Sequence, residues 1–273
     1  MKKPIQVCLA VIAVLNFTAC APADTKIHDG TSVAKLDTSV GSISLPLDEY
    51  SVTKEQFLLI DKANNLVLAD CVAAAGQPMV PAETTATIGD DRRFGIWVPG
   101  FAERYGYDPV PGLTKIGYAS GVSETTEASI ATFEGCKERL QSELLPVLLL
   151  NVAGTSGTVQ KGLDEAKSQA ASSSDWKQAR EDWFKCQETN GLKPRRADNQ
   201  WGPELPDDKE GQIRIASQDV ACKTEVRLVQ RLGDVLARFQ AEYIAKNHAA
   251  LVAEQKKRDE VLAKADHVVS SHG

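Results

Sequence analysis

Apolar and small side chains recur at steps of three and four residues in a segment that begins near residue 53. The positions are Phe57, Ile60, Asn64, Val67, Cys71 and Ala74. This spacing places them on one face of a helix. Thr53 and Gln56 have the spacing of a capping box, and Gly76 and Pro78 are typical helix stops. The pattern predicts a helix over about 53–76, with Cys71 on its buried face in the last turn.

Three further segments follow the same helical period. A second helix is predicted over about 124–145 and contains Cys136, a third covers about 158–172, and a fourth begins near Asp175 and ends at Gly191. Their inward positions are Ile130, Phe133, Leu140 and Leu144 in the second helix, and Trp176, Ala179, Trp183 and Cys186 in the fourth. The first and fourth helices end alike, with a cysteine five residues before a glycine and a proline soon after.

The last helix is predicted to be the longest, running without a break over about 211–266. Acid-then-base pairs four residues apart support a continuous, solvent-facing helix. These pairs are Asp219–Lys223, Asp234–Arg238, Glu242–Lys246, Glu254–Arg258 and Glu260–Lys264. Such a helix would be about 80 Å long at 1.5 Å per residue. We therefore expect its far end to project beyond the packed domain and to offer a surface to a partner.

No helical or strand period is sustained between residues 76 and 123. This stretch holds eight glycines, five prolines and six aromatic residues. Only one short helix is predicted in it, beginning at Pro99. A long segment of this kind is usually functional or packs as a cover over a core. We interpret residues 76–123 as an irregular insertion.

The first nineteen residues have the pattern of an export sequence. Lys2 and Lys3 precede a short apolar run that is too short to span a membrane, and FTAC follows, ending at Cys20. FTAC resembles a bacterial lipobox, in which the cysteine is lipidated, although Phe17 stands where leucine is usual. Ordinary secretory cleavage near Ala19 and Ala21 is the alternative. In either case the mature chain lies outside the cytoplasm, and polar residues 20–46 would form a flexible tether.

Charge excludes one broad class of function. The net charge of −6 becomes −8 when residues 1–19 and their two lysines are removed. Neutralising nucleic-acid phosphates requires a basic surface. The chain is therefore not expected to bind nucleic acid.

Four cysteines remain after Cys8 leaves with the export sequence and Cys20 receives lipid. In an exported chain they suggest two disulfides, for which three connectivities exist. The helix endings favour Cys71–Cys136 and Cys186–Cys222, clasping two helical units, at roughly 4 kcal/mol per loop in the chain-entropy model. In the second unit Cys186 would meet Cys222 near the start of the last helix, and the two helices would be antiparallel. Free buried thiols and a zinc site are the alternatives, although the close cysteine pairs of zinc sites are missing.

Several stretches together resemble a family of uncharacterised secreted lipoproteins of actinobacteria. They are LPLDEYSVTKEQ, ADCVAAAGQP, DDRRFGIWVPGFAERYGYDP, WFKCQETNGLKP and IASQDVACK, and the resemblance covers about residues 45–247. Val72, Gln187 and Phe94 depart mildly from residues usual in that family. The resemblance implies a surface location and paired cysteines. It implies no reaction, because none is established for the family.

One region is a candidate for ligand or partner contact, namely Asp90 to Tyr107. Its candidate residues are Arg92, Arg93, Trp97, Tyr105 and Tyr107, which could hold an anionic or sugar-like ligand by charge and stacking. The alternative, which we favour, is that the aromatic residues pack the segment onto the helices while the arginines pair with Asp90 and Asp91. The four histidines are dispersed, and the sequence contains no His-Glu-x-x-His motif, no Gly-x-Ser-x-Gly motif and no phosphate-binding glycine-rich loop.

The sequence therefore predicts a mainly α protein with two disulfide-clasped helical units, an irregular insertion and a long C-terminal helix. The units are expected at 47–152 and 153–266, with a tail at 267–273. We expect a lipid-anchored accessory protein of the bacterial cell envelope that is attached to the membrane through Cys20 and acts by contact with an envelope or transporter protein. It is not expected to be an enzyme or to need a metal or cofactor. The alternatives are a protein that binds solutes or cell-wall fragments through 90–107 and, third, a cell-wall enzyme.

Overall fold

The computed structural model describes residues 32–77, 79–82, 85–116, 119–122, 126–145 and 157–272. Within these ranges the fold is mainly α, as predicted. The helices are α1 (Lys54–Ala74), α2 (Pro99–Tyr105), α3 (Glu127–Arg139), α4 (Thr158–Ser172), α5 (Ser174–Thr189), α6 (Lys209–Glu225) and α7 (Leu228–Ser271), with a short 3-10 helix at Pro46–Tyr50. Cys20, the export sequence and the apolar run at 146–150 lie outside the described residues.

Helix α7 is the central support of the fold. It packs against α1, α4, α5 and the 3-10 helix. Its first half contributes Leu228, Leu232 and Leu236 to the largest core, where they meet Trp176 and Trp183 of α5. Burial of these side chains gives the main hydrophobic stabilisation, at roughly 25 cal/mol per Å² of apolar surface.

The far end of α7 does not project into solvent. Leu251, Arg258 and Ala265 are buried along this half of the helix. Ala265 packs against Ile60 and Ala63 of α1. The expectation of a projecting end was wrong because the apolar face of α1 packs against the apolar face of this half of α7. The two helices are far apart in sequence, so the sequence does not show that these faces meet.

The predicted single C-terminal helix is two helices. Arg227 adopts a left-handed conformation, with φ 54° and ψ 38°, between α6 and α7. That conformation interrupts the right-handed helix and redirects the chain. The sequence from Lys223 through Val226 to Arg227 contains no glycine or proline. No residue type therefore indicates a break in the helix at this point.

Six short strands form three antiparallel pairs in the described chain. Strand β1 (Lys35–Asp37) pairs with β2 (Ser42–Ser44), β3 (Met79–Ala82) with β6 (Ala119–Val122), and β4 (Thr85–Thr87) with β5 (Thr114–Ile116). The last two pairs form a nested ladder within the predicted irregular insertion. Sequence periodicity missed them because strands of three or four residues are too short to show alternation.

The described part of the predicted tether belongs to the packed fold. Ala34, Ile43 and Leu45 are buried in the largest core. The backbone N–H of Ala34 donates to Asp234 of α7 at 3.0 Å, and Gln230 donates to the Ala34 carbonyl at 3.0 Å. From Ala34 onward, therefore, the chain is not a free linker.

Helices α1 and α5 end in the same way. Gly76 and Gly191 both have positive φ, at 77° and 72°. In each case the next residue donates its N–H to the carbonyl five residues earlier, Gln77 to Val72 and Leu192 to Gln187. This is the Schellman arrangement, which favours glycine because of its left-handed backbone.

Both predicted disulfides are present. Cys71–Cys136 joins α1 to α3 with a Cα–Cα distance of 6.0 Å, and Cys186–Cys222 joins α5 to α6 at 5.6 Å. The predicted antiparallel arrangement of the second pair is wrong. Trp183 meets Asp219 and Cys186 meets Cys222, so α5 and α6 run in the same direction where they touch. Cys222 lies near the end of α6 and not near the start of a long helix.

Candidate functional site

The Asp90–Tyr107 segment is held against the β1–β2 hairpin by its backbone. The N–H of Asp90 donates to Val40 at 2.7 Å, and that of Asp91 donates to Gly41 at 2.6 Å. Asp90 has a positive φ of 52°, which turns the chain at this point. The close approach requires Gly89, because a Cβ there would lie 2.3 Å from the Val40 carbonyl oxygen. The hairpin and the segment are thus one unit.

Both candidate arginines are engaged by the protein itself. Arg92 pairs with Asp90 at 2.8 Å and donates to the carbonyls of Tyr107 and Asp108, each at 2.5 Å. Arg93 pairs with Asp91 at 2.7 Å and donates to the Ile43 carbonyl at 3.4 Å. The favoured interpretation, in which these arginines pair with the neighbouring aspartates, is confirmed.

The candidate aromatic residues divide between the core and its edge. Trp97 is buried and donates from Nε1 to the Asp91 carbonyl at 2.9 Å. Tyr107 is half-buried, and its hydroxyl donates to Asp219 at 3.4 Å. Tyr105 is half-buried beside Arg104. Trp97 and Tyr107 therefore point their polar atoms at protein acceptors, and ligand contact through this region stays a prediction.

A buried ion pair lies beneath this segment and was missed in the sequence. Lys223 Nζ lies 3.1 Å from Asp219 Oδ2, and the two side chains are 1% and 0% exposed. The spacing of Asp219 and Lys223 predicts a solvent-facing pair on the last helix, and this prediction is wrong. The true environment of the pair depends on α5 and the insertion, which cover this face of α6, and neither is visible in a spacing of four residues.

Every donor and acceptor of this ion pair is used. The Lys223 ammonium donates to Asp219, to the Ile96 carbonyl at 2.8 Å and to the Trp201 carbonyl at 2.9 Å. Asp219 Oδ1 accepts from Trp183 Nε1 at 2.8 Å and from Gln187 Nε2 at 2.7 Å. Three ammonium protons meet three acceptors, which is the condition for burying a lysine. The network connects α5, α6, the insertion and the segment that contains Trp201.

Burial also shifts the titration of groups in this network. Desolvation lowers the pKa of Lys223, and the attraction of the Asp219 carboxylate opposes that shift. Desolvation and then the Asp219 charge raise the pKa of the Tyr107 hydroxyl. Tyr107 therefore stays protonated and donates to Asp219 at any ordinary pH. The Asp219 and Lys223 side chains at the centre of the network are not exposed. The network therefore stabilises the packing of α5, α6 and the insertion against one another.

No cluster of three or more histidine, cysteine or acidic side chains suited to a metal ion occurs among residues 32–145 and 157–272, apart from their short undescribed gaps. Nor does any described helix combine the length and apolar character needed to cross a membrane.

Comparison of the chain with protein-family models, curated proteins and solved structures found no match. The resemblance to secreted actinobacterial lipoproteins therefore stays a prediction.

Proposed function

We propose that this protein is a lipid-anchored accessory protein on the outer face of the bacterial cytoplasmic membrane. It acts by contacting another protein of the cell envelope and carries out no turnover. The lipobox-like FTAC with Cys20 supports the anchor. Two disulfides suit an oxidising compartment, since thiols are kept reduced in the cytosol.

The observation that carries the contact proposal is the outer face of α7. We use this name for a row of exposed residues spaced by three and four. They are Ala245, Ala249, Val252, Lys256, Glu260 and Ala263. Val252 is 43% exposed at the middle of the row. Small residues at such spacing let a second helix approach closely, and exposed apolar side chains gain from being covered.

The opposite face of α7 makes this surface rigid. Tyr243, Ile244 and Leu251 are buried against the 3-10 helix and α4. Tyr243 also donates to the Thr158 carbonyl at 2.8 Å, and Glu254 accepts from the N–H groups of Thr158 and Val159 at 2.5 and 3.3 Å. A preorganised surface binds without a further ordering cost.

The charges that flank the row indicate the partner's chemistry. Exposed charges of both signs flank the row, with Lys246, Lys257 and Lys264 against Glu242, Asp259 and Asp266. The partner we propose is a helix of an envelope protein with an apolar seam and charged residues of both signs beside it. Complementary charge would speed association and set orientation.

Site-specific photo-crosslinking in the intact bacterium tests this contact. A photoreactive side chain in place of Val252 should give one defined protein adduct. The same group in place of Ser168, which is exposed on α4, should not. Ala249→Glu should abolish the adduct without changing thermal stability. Equal labelling from both positions, or an adduct that survives Ala249→Glu, would exclude the outer face of α7 as the contact.

The anchor has a separate test. Intact-mass analysis of the exported protein should find a diacylglyceryl group on Cys20, and Cys20→Ala should move the protein from membrane to medium. Release of unmodified chain from the wild type would instead establish ordinary secretory cleavage.

A further inference from the structure

All four paired cysteines occupy the same position in their helices. Cys71, Cys136, Cys186 and Cys222 each lie three residues before the last residue of α1, α3, α5 and α6, respectively. The negative end of a helix dipole disfavours a thiolate. Because this effect is common to the four positions, it cancels when the two disulfides are compared with each other. Any difference in their chemistry must come from the side chains around them.

The first disulfide has a cation directly beside it. Arg139 Nη2 lies 2.6 Å from Cys71 Sγ and 3.9 Å from Cys136 Sγ. A positive charge near a cysteine stabilises the thiolate and lowers the thiol pKa. Stabilising the reduced form makes a disulfide easier to reduce. Arg139 acts mainly on Cys71, which is therefore the better leaving group.

The second disulfide has a carboxylate beside it. Glu225 Oε2 lies 3.6 Å from Cys186 Sγ, and the neutral amide of Asn190 lies 3.5 Å from both sulfurs. A negative charge disfavours a thiolate. Reduction of Cys186–Cys222 thus places like charges together, whereas reduction of Cys71–Cys136 places opposite charges together.

Packing differs in the same sense. Cys71 and Cys136 belong to a small cluster with Leu68 and Val72. Cys186 and Cys222 belong to the largest core, beside Trp183 and directly next to the buried network of Asp219 and Lys223. Local opening is easier where fewer apolar contacts must be broken. A reductant therefore reaches the first disulfide by local opening of α3, while the second requires opening of the main core.

We propose that Cys71–Cys136 is an exchangeable disulfide that reacts with an extracytoplasmic dithiol reductant, while Cys186–Cys222 is permanent. A thiolate of the reductant attacks Cys136 Sγ, the protein S–S bond breaks, and Cys71 leaves as a thiolate beside Arg139. The second thiol of the reductant then attacks the mixed disulfide and releases Cys136, and both protein sulfurs end as thiol or thiolate. The two electrons come from the dithiol, which becomes a disulfide.

Redox equilibrium of the full mature chain measures the difference directly. The protein is incubated in graded ratios of reduced to oxidised dithiothreitol, quenched with an alkylating reagent, and analysed by mass spectrometry at each cysteine. One pKa unit corresponds to a factor of ten in equilibrium constant. We therefore expect Cys71–Cys136 to be half-reduced at a ratio about tenfold lower than Cys186–Cys222. Reduction of the two bonds together, or of Cys186–Cys222 first, overturns the proposal.

Substitutions on α3 separate the effect of Arg139 from general loosening. Arg139→Gln should remove most of the difference between the two bonds, and Arg139→Lys should restore part of it. Lys137→Gln is the matched control, since Lys137 lies on the same helix and pairs with Glu134 at 3.1 Å. An equal effect of both neutral substitutions, or none from Arg139→Gln, contradicts the proposed role.

A second readout is independent of the disulfide equilibrium. In Cys136→Ser the Cys71 thiol is free, and its pKa follows from the pH dependence of alkylation. Adding Arg139→Gln to this variant should raise that pKa by about one unit. An unchanged pKa shows that Arg139 does not stabilise the Cys71 thiolate and overturns the mechanism.

Discussion

At the scale of single residues, the buried pair of Asp219 and Lys223 sets the chemistry of the interior. Removing two charges from water costs several kcal/mol per ion, which close pairing and full hydrogen bonding offset. Here the ammonium has three acceptors and the carboxylate accepts from Trp183, Gln187, Tyr107 and Lys223. The pair thereby fixes how α5, α6 and the insertion pack together, because any other packing would leave a buried charge without its partners.

Removing one member of the pair should be costly. Asp219→Asn keeps the shape but leaves the Lys223 ammonium buried without its counter-charge. We expect the free energy of unfolding in urea to fall by about 3–5 kcal/mol. The control is Glu204→Gln, because Lys193 and Glu204 lie 3.7 Å apart with side chains 80% and 64% exposed. That change should stay within about 0.5 kcal/mol, and comparable losses in both variants would refute a special role for burial.

At the scale of elements, the ends of the helices are the features that the sequence predicts best. Thr53 and Gln56 form the predicted capping box, with reciprocal bonds of 3.2 and 3.0 Å. Gly76 and Gly191 stop their helices as their positions suggested. These features are local, so residue type and spacing suffice to predict them. Helix α5 was expected to begin near Asp175, but its cap is Ser173, whose hydroxyl accepts from the Trp176 N–H at 3.3 Å.

The break between α6 and α7 at Arg227 could not be predicted from the residue types around it. A left-handed conformation costs a non-glycine residue roughly 1–2 kcal/mol. Here the packing of Leu228 and Val229 into the main core supplies the compensation. Tertiary packing of this kind leaves no trace in a window of a few residues, so the pattern read as one continuous helix.

Two opposite glycine substitutions test this account. Arg227→Gly should raise the free energy of unfolding by up to about 1 kcal/mol, because it relieves the left-handed strain. Gly191→Ala should lower the free energy of unfolding by a similar amount, because Gly191 has φ +72°, which strains a residue with a side chain. A Cβ there would meet nothing within 4 Å, so the loss reports backbone strain and not a steric clash. Urea denaturation measures both changes. If Arg227→Gly destabilises, the turn between α6 and α7 is held by the arginine side chain and not by packing.

At the scale of the whole molecule, the fold is closed by contacts between residues about 200 positions apart. Ala34 bonds Asp234, Arg258 donates to the Ser51 carbonyl at 3.1 Å, and His272 meets Asp70. The amphipathic period of each helix could be predicted, but not which faces meet. The candidate region at 90–107 was correctly predicted to cover the helices, because its aromatic content is a local property of the sequence. The helices beneath it could not be predicted, because they are distant in sequence.

Adjacent residues on α7 distinguish a packed helix from a projecting one. Leu251 is fully buried beside Leu47, whereas its neighbour Val252 is on the outer face. Leu251→Ala should cost about 2–5 kcal/mol of unfolding free energy, because it leaves a cavity. Val252→Ala should cost less than about 0.5 kcal/mol. Small and equal changes in chemical denaturation would mean that this half of α7 is not packed in solution.

The C-terminal end of α7 is attached to α1 by a histidine whose geometry makes the contact dependent on pH. His272 Nε2 lies 2.9 Å from Asp70 Oδ2, and Nδ1 lies 2.7 Å from the Val268 carbonyl oxygen. Both partners are acceptors, so only the imidazolium, with two N–H groups, satisfies them together. The hydrogen bond to Asp70, followed by that to Val268, raises the pKa of His272 above its ordinary value of 6.5.

The sign of the pH effect follows from that shift. A folded-state pKa above the unfolded one means that the contact stabilises the fold fully below about pH 6.5 and loses this contribution as pH rises through the raised folded value. Amide hydrogen exchange at residues 266–271 should therefore accelerate across this interval beyond its intrinsic pH dependence. NMR titration of the His272 ring should give a higher pKa in the wild type than in Asp70→Asn, which keeps the shape of the partner and removes its charge. If the two proteins titrate alike, the C-terminal end is held by the apolar contacts of Val268 and Val269 with α1 alone, and its exchange will show no such pH dependence.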